Sequence, residues 1–185
     1  RDPFEDFADV ERPGCDRGSL QPLLREHPAM PRIDTARLPA HTGSSYPSPH
    51  DAVCQARSAL RLAQAAGLTQ FGVNLVTLPP GTWSSQRHWH SHEDEFVYVL
   101  GGEVLLVTDA GEEILRAGDA AGFKAGDRDG HCLQNRSAAP AQLLVVGSRH
   151  DEDHGEYSDI DMQFLPGRYS GKGGYRRKDG SGFDL

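Results

Sequence analysis

The sequence predicts an all-β fold, a barrel or sandwich of short strands. Three observations predict it. From Thr69 to Ser148, short words rich in branched and aromatic residues alternate with Gly, Pro and Asp punctuation. No strand–helix–strand rhythm and no long internal repeat interrupts them. The chain has 185 residues, 37% hydrophobic and 25% charged, enough to close one hydrophobic core.

The elements are read in order. Residues 1–50 carry Pro3, Pro13, Pro22, Pro28, Pro31, Pro39, Pro47 and Pro49 with little periodicity between them. They predict an extended, partly disordered N-terminal arm, or one laid over another surface. Residues 1–29, which precede Met30, are expected to be a dispensable extension. Residues 51–150 are expected to hold the barrel. Their alanine-rich start, 51–66, favours a helix that ends at Gly67. A short strand at Ser58–Leu62 is the alternative, since tertiary pairing overrides propensity. Phe71–Leu78 is a strand stopped by Pro79, Pro80 and Gly81. Trp83–His90 is a second, and Glu95–Leu100 a third that turns at Gly101–Gly102. Glu103–Thr108, Glu112–Leu115, Ala120–Phe123, His131–Asn135 and Gln142–Ser148 complete the strands. Residues 151–185 are polar and Gly-rich. They form either a flexible tail or a strap that docks back across the barrel on Tyr157, Ile160, Phe164, Leu165 and Tyr169.

Composition excludes several functions. A net charge of -8 disfavours nucleic acid as a partner. No apolar run approaches the length of a membrane span, and the first residues lack the basic and apolar stretches of a secretory leader. The expected compartment is the cytoplasm. Cys15, Cys54 and Cys132 make no disulfide framework and are read as reduced thiols.

The chemistry concentrates in Arg87-His88-Trp89-His90-Ser91-His92-Glu93-Asp94-Glu95. On a strand, residues two apart face the same way, so His88 and His90 can aim two imidazoles into one cavity. A short turn then starts the next strand at Glu95, whose carboxylate can lie beside them. Imidazole and carboxylate together suit Mn, Fe, Co, Ni or Zn. His131 starts another strand that a barrel can bring alongside. Trp89 and Phe96 face away from this cavity by alternation, and His92 is expected at its rim.

The stretch Gly81–Gly102 resembles the first motif of the cupin superfamily: a glycine, then His88 and His90, then Glu95, then Gly102. Gly118, Gly126, His131 and Asn135 resemble the second. The resemblance covers roughly residues 70–148 and implies a cupin double-stranded β-helix, a jelly-roll-like barrel. It implies one divalent metal ion on His88, His90, Glu95 and His131. Three turns depart from the pattern: the Gly81-to-His88 and Gly126-to-His131 intervals are longer, and Lys124 stands where the family has proline. The phrase WHSHEDEFVYVLGGE is similar to small bacterial single-domain cupins, some described as sugar-phosphate isomerases.

Around that metal the sequence predicts a substrate pocket with Val97, Val99 and Leu133 as apolar lining and Lys124 and Arg128 as cationic contacts. Three functions fit. The first is a metal-dependent isomerase, epimerase or lyase acting on a small polar metabolite such as a sugar or sugar phosphate. The second is an Fe(II)-dependent dioxygenase. The third is a non-enzymatic cupin that binds a small molecule. A homodimer is expected, with the arm covering an exposed sheet edge.

Overall fold

Val97 and Val99 are fully buried while Phe96, Tyr98 and Leu100, which alternate with them, are exposed. That period of two fixes which face of their strand turns inward, and the same alternation organises the barrel. The computed structural model describes residues 32–183. In chain order the elements are β1 (His41–Thr42), β2 (Ser58–Arg61), α1 (Leu62–Ala65), β3 (Phe71–Leu78), β4 (Glu95–Gly101), β5 (Glu103–Thr108) and β6 (Gly111–Arg116). They continue with β7 (Ala120–Phe123), β8 (Cys132–Gln134), β9 (Ala141–Ser148), β10 (Gly155–Glu156), β11 (Gln163–Phe164) and β12 (Tyr175–Arg176).

Every pairing is antiparallel. One sheet runs β1-β2-β3-β9-β4-β7 and the second runs β6-β5-β8. Their inner faces enclose the core: Val76, Leu78, Val97, Val99, Ala141 and Leu143 from the first, and Val104, Leu115 and Leu133 from the second. The β4–β5 turn needs Gly102, which sits at φ +78. A Cβ there would also meet Pro140 O at 2.6 Å and Ala141 Cα at 2.8 Å.

Two expectations are corrected. Residues 51–66 are not one helix. Ser58–Arg61 pairs along β3 from Ser58↔Thr77 to Arg61↔Asn74, and helix survives at Leu62–Ala65, ended by Gly67 at φ +70. The strand alternative held because a ladder with β3 outweighs the small propensity advantage of alanine. Trp83–His90 is not a continuous strand either. It touches β8 and its approach through the bridges Trp83↔Gln134 and His88↔His131. More residues separate Trp83 from His88 than His131 from Gln134, so the intervening loop bulges and the ladder breaks. The remaining strands lie where the sequence places them, within a residue or two.

The expected arm falls partly outside the described residues, as do Cys15 and the extension before Met30. Its described part is laid on the barrel: β1 adds to the sheet beside β2, and Tyr46 packs against Tyr157 and Tyr175. Among the described residues no helix is long and apolar enough to cross a membrane.

The last segment is a strap. β10, β11 and β12 form a third small sheet around Tyr157, Met162 and Phe164, with Tyr46, Ile160, Tyr175 and Phe183 against them. Arg87 clamps it. Its guanidinium donates to both Asp159 oxygens at 2.9 and 2.7 Å and pairs with Asp109 on the β5–β6 turn. Two glycines let the backbones meet. A Cβ on Gly130 would overlap Ser158, and one on Gly155 would overlap Trp89 O and meet the Phe164 ring at 2.7 Å. Gly155→Ala is therefore expected to lift the strap. The expected loss is about 1–3 kcal/mol in urea unfolding, with faster proteolysis after Ser148 than in the wild type.

Candidate metal centre

The antiparallel bridge His88↔His131 sets two of the predicted residues side by side. His131 N–H donates to His88 O at 2.9 Å, and His88 N–H donates to His131 O at 3.2 Å. Glu95 opens β4 on the neighbouring sheet, opposite Phe123 and Gly147. The loop between them is held by Gly126 N–H, which donates to His90 O at 2.8 Å.

Each imidazole of the HxH pair is oriented through its far nitrogen. His88 Nδ1 lies 2.9 Å from Gln86 O, and His90 Nδ1 lies 2.7 Å from Asp153 Oδ2. Both partners only accept, so both Nδ1 atoms carry the proton and both Nε2 atoms present lone pairs. Those two Nε2 atoms face each other at 3.0 Å. Two lone pairs at that distance repel unless a proton or a cation sits at them. Glu95 completes the approach. Its Oε2 is 3.8 Å from His90 Nε2 and its Oε1 is 3.8 Å from His131 Nε2.

His131 lies flat on Phe123, ring centroids 3.6 Å apart, and both its nitrogens are buried without a hydrogen-bond partner. An unpartnered buried nitrogen is costly, and a ligand to Nε2 removes part of that cost. The ligand atoms of His88, His90 and Glu95 all lie within 4.8 Å of one another, with His131 at the edge of the group. Four residues of suitable type, two of them pre-oriented and one orphaned, fit a divalent transition metal.

The electrostatics agree. Burial pushes the His88 imidazole well below its usual value, and the neighbouring His90 and His131 push the same way. His88 is thus neutral, as a ligand must be. Burial alone would raise the Glu95 carboxyl, but His131, His88 and His90 outweigh it and hold it at about 2. Glu95 is therefore an anion at neutral pH.

A second ring of groups went unrecognised in the sequence. Asp153, at the start of the strap, is 1% exposed. Its carboxylate accepts from His90 Nδ1 at 2.7 Å, His92 N–H at 2.9 Å, Ser91 Oγ at 3.3 Å and Arg168 Nη2 at 2.7 Å. Glu93 accepts from Arg168 Nη2 at 3.1 Å, Tyr169 OH at 2.8 Å and His150 N–H at 2.9 Å. His90, Glu93 and Asp153 also lie within ligand distance of one another, but Arg168 already supplies their cation.

The predicted lining is corrected in part. Val97, Val99 and Leu133 do not face a pocket; at 0%, 0% and 2% exposure they are core. They share the inward face with Glu95 and His131 but lie deeper along their strands, where the two sheets close. Lys124 lines a cavity of about 450 Å³ at the barrel mouth, with His131, Phe123 and His90. Arg128 instead covers the Trp89 ring at 5.2 Å. His92 stands at the rim, stacked on His150 with its Nδ1 on Ser91 Oγ. A second cavity of about 430 Å³ lies on the strap side, reached by His88 and His90.

Burial alone would raise the Asp153 carboxyl, but His90, His92 N–H and Arg168 hold it at about 2. Its depressed value means its stabilisation is present above the unfolded value near 4 and is lost as pH falls toward 2. Asp153→Ala leaves His90 Nδ1, His92 N–H and Arg168 without their acceptor. The expected cost is roughly 3 kcal/mol at pH 7 in chelator-treated protein, read by urea unfolding and shrinking through that acid window.

Comparison with known proteins places the fold. Residues 74–147 match the family model of the cupin domain. A sugar phosphate isomerase from a cupin superfamily, from Silicibacter pomeroyi, is 45% identical, with a TM-score of 0.79 over 84% of this chain and 98% of that one. A sugar phosphate isomerase candidate from Acidithiobacillus ferrooxidans is 28% identical, with a TM-score of 0.61 over 66% of this chain and 76% of that one. A protein of Thermotoga maritima predicted to be an oxalate decarboxylase shares the fold at 20% identity and a TM-score of 0.51, over 64% of this chain and 99% of that one. No curated protein matches the chain. With the barrel, both motifs and these likenesses in hand, the chain belongs to the cupin superfamily.

Proposed function

We propose that this cupin is a metal-dependent enzyme that isomerises a small sugar phosphate, with His88, His90, Glu95 and His131 as the metal ligands. One observation carries the metal: the facing Nε2 atoms of His88 and His90, 3.0 Å apart, with Glu95 beside them and His131 unpartnered. The isomerase reading is supported by the 45% identical protein of Silicibacter pomeroyi and its description.

A divalent ion held there supplies a Lewis acid that polarises a carbonyl or hydroxyl oxygen. The chain does the rest. Asp153 and Gln86 O fix the two imidazoles through Nδ1, so that Nε2 is the donor atom in each. Glu95 balances charge without leaving the anionic form at neutral pH. Phe123 fixes the His131 ring plane.

Elemental analysis of freshly purified protein tests the metal. About one equivalent of Mn, Fe, Co, Ni or Zn is expected. His88→Ala and His131→Ala are expected to lose most of it, and His92→Ala to keep it. Loss in His92→Ala with retention in His88→Ala would show that the ligands are misassigned. Aldose–ketose interconversion of pentose and hexose phosphates without oxygen is the activity expected. Oxygen uptake with iron bound would replace it with the dioxygenase reading, and an empty site without turnover with the binding-protein reading.

We also propose a homodimer through the outer face of the six-stranded sheet. Phe96, Tyr98 and Leu100 form a row there, exposed at 45%, 37% and 47%, with Phe71 at 40% on the same sheet. Such a row on one face is an association surface. Light scattering is expected to give twice the chain mass for the wild type and the single mass for Phe96→Glu/Leu100→Glu, with circular dichroism unchanged.

A further inference from the structure

The ligand cluster has a cavity on each side, and the two differ in charge. The mouth cavity sets the carboxylates of Glu93, Glu113, Asp127 and Asp129 against the single amine of Lys124. The strap-side cavity has no carboxylate in its lining and one guanidinium, Arg168. An anion is repelled by the first lining, whereas in the second it meets no lining carboxylate and the remaining donors of a guanidinium that is already paired with Asp153 and Glu93.

We infer that the strap-side cavity is the substrate pocket, that it takes a phosphorylated polyol, and that Arg168 contacts the phosphate. This rests on the sugar-phosphate reading above and specifies which side of the site that substrate enters.

Five observations support it. His88 and His90 reach this cavity, so a bound molecule lies against the ligand cluster. Arg168 is held by one nitrogen: its Nη2 donates to Asp153 at 2.7 Å and Glu93 at 3.1 Å. Among the described residues its Nε and Nη1 have no partner, which leaves two donors of the guanidinium fork for an anion. The guanidinium carbon lies over the Phe164 ring at 5.2 Å and the Tyr169 ring at 5.6 Å, and these contacts restrain it, so less side-chain entropy is lost when an anion docks. The opposite wall is aromatic but hydroxylated: Tyr46, Tyr157 and Tyr175, with Ser45 Oγ 2.9 Å from Tyr175 OH. Such a wall offers flat apolar faces to the C–H edges of a sugar and hydroxyls to its oxygens. The volume of about 430 Å³ suits one small metabolite.

Calorimetric titration of the full-length protein tests the assignment, with inorganic phosphate and glucose 6-phosphate as separate probes. Metal-loaded and chelator-treated samples are both measured. Arg168→Gln is expected to weaken both probes at least tenfold in either sample. Because Arg168 also braces Asp153, Ser45→Trp is the second variant; it fills the cavity from the far wall and touches no proposed ligand. It is expected to abolish glucose 6-phosphate binding while metal content stays at the wild-type value. Lys124→Gln is the competing variant and is expected to change binding less than twofold. Tenfold loss in Lys124→Gln with none in Arg168→Gln and Ser45→Trp overturns the pocket and leaves the sugar-phosphate reading standing. Phosphate binding that depends on Arg168, with no glucose 6-phosphate binding, keeps the anion contact and overturns the polyol. Binding of neither probe to the wild type overturns the inference.

Discussion

The buried carboxylate of Asp153 is the group on which the site depends. A charge with almost no exposure is costly unless every lone pair is used, and here four donors use them. The four donors serve three different tasks. His90 is a candidate ligand, Ser91 and His92 form the turn after it, and Arg168 belongs to the strap. One carboxylate thus fixes an imidazole tautomer, a turn and the docking of a distant segment. The packed layer of Val76, Leu78, Val97, Val99 and Leu143 is built of strand side chains and does not include it. What Asp153 organises is the layer above that core, where chemistry is possible.

That division explains what could be read from the sequence. The strands from Phe71 to Ser148 were legible because alternation and turn residues report burial directly. That His88, His90, Glu95 and His131 come together was legible because spacing of two on an extended segment is a local geometric fact, and the cupin motifs bracket it. The failures are of another kind. Ser58–Arg61 is a strand because β3 lies beside it, and nothing in its alanine-rich neighbourhood reports β3. Val97, Val99 and Leu133 were assigned the right face but the wrong depth, because alternation gives direction and not distance from the mouth. Asp153 sits in HDEDHGEY among other acids. Composition makes that run look solvated, and its one buried acid is distinguished by where the strap folds, a non-local property. Arg168 was hidden for the same reason, in a Gly-rich stretch that reads as tail.

The two histidine nitrogens that face each other show how a fold stores a binding site. Gln86 O and Asp153 Oδ2 hold the protons on the outer nitrogens, and the barrel holds the rings in place. Lone-pair repulsion is thereby retained in the folded chain, and a cation relieves it. Phe123, stacked on His131, removes the option of rotating that ring away. The apolar core contributes rigidity, the outer hydrogen bonds contribute orientation, and the charge balance of the two cavities sorts what can approach.

The Arg87 clamp and the two glycines that admit the strap have a consequence for order in time. Every strand of the two barrel sheets is complete by Ser148, and Asp153, Tyr157, Phe164 and Arg168 all follow it. In the order of synthesis, the strands of the barrel therefore precede the segment that holds His90 Nδ1. The residues that orient this candidate ligand lie beyond the stretch that matches the cupin family model.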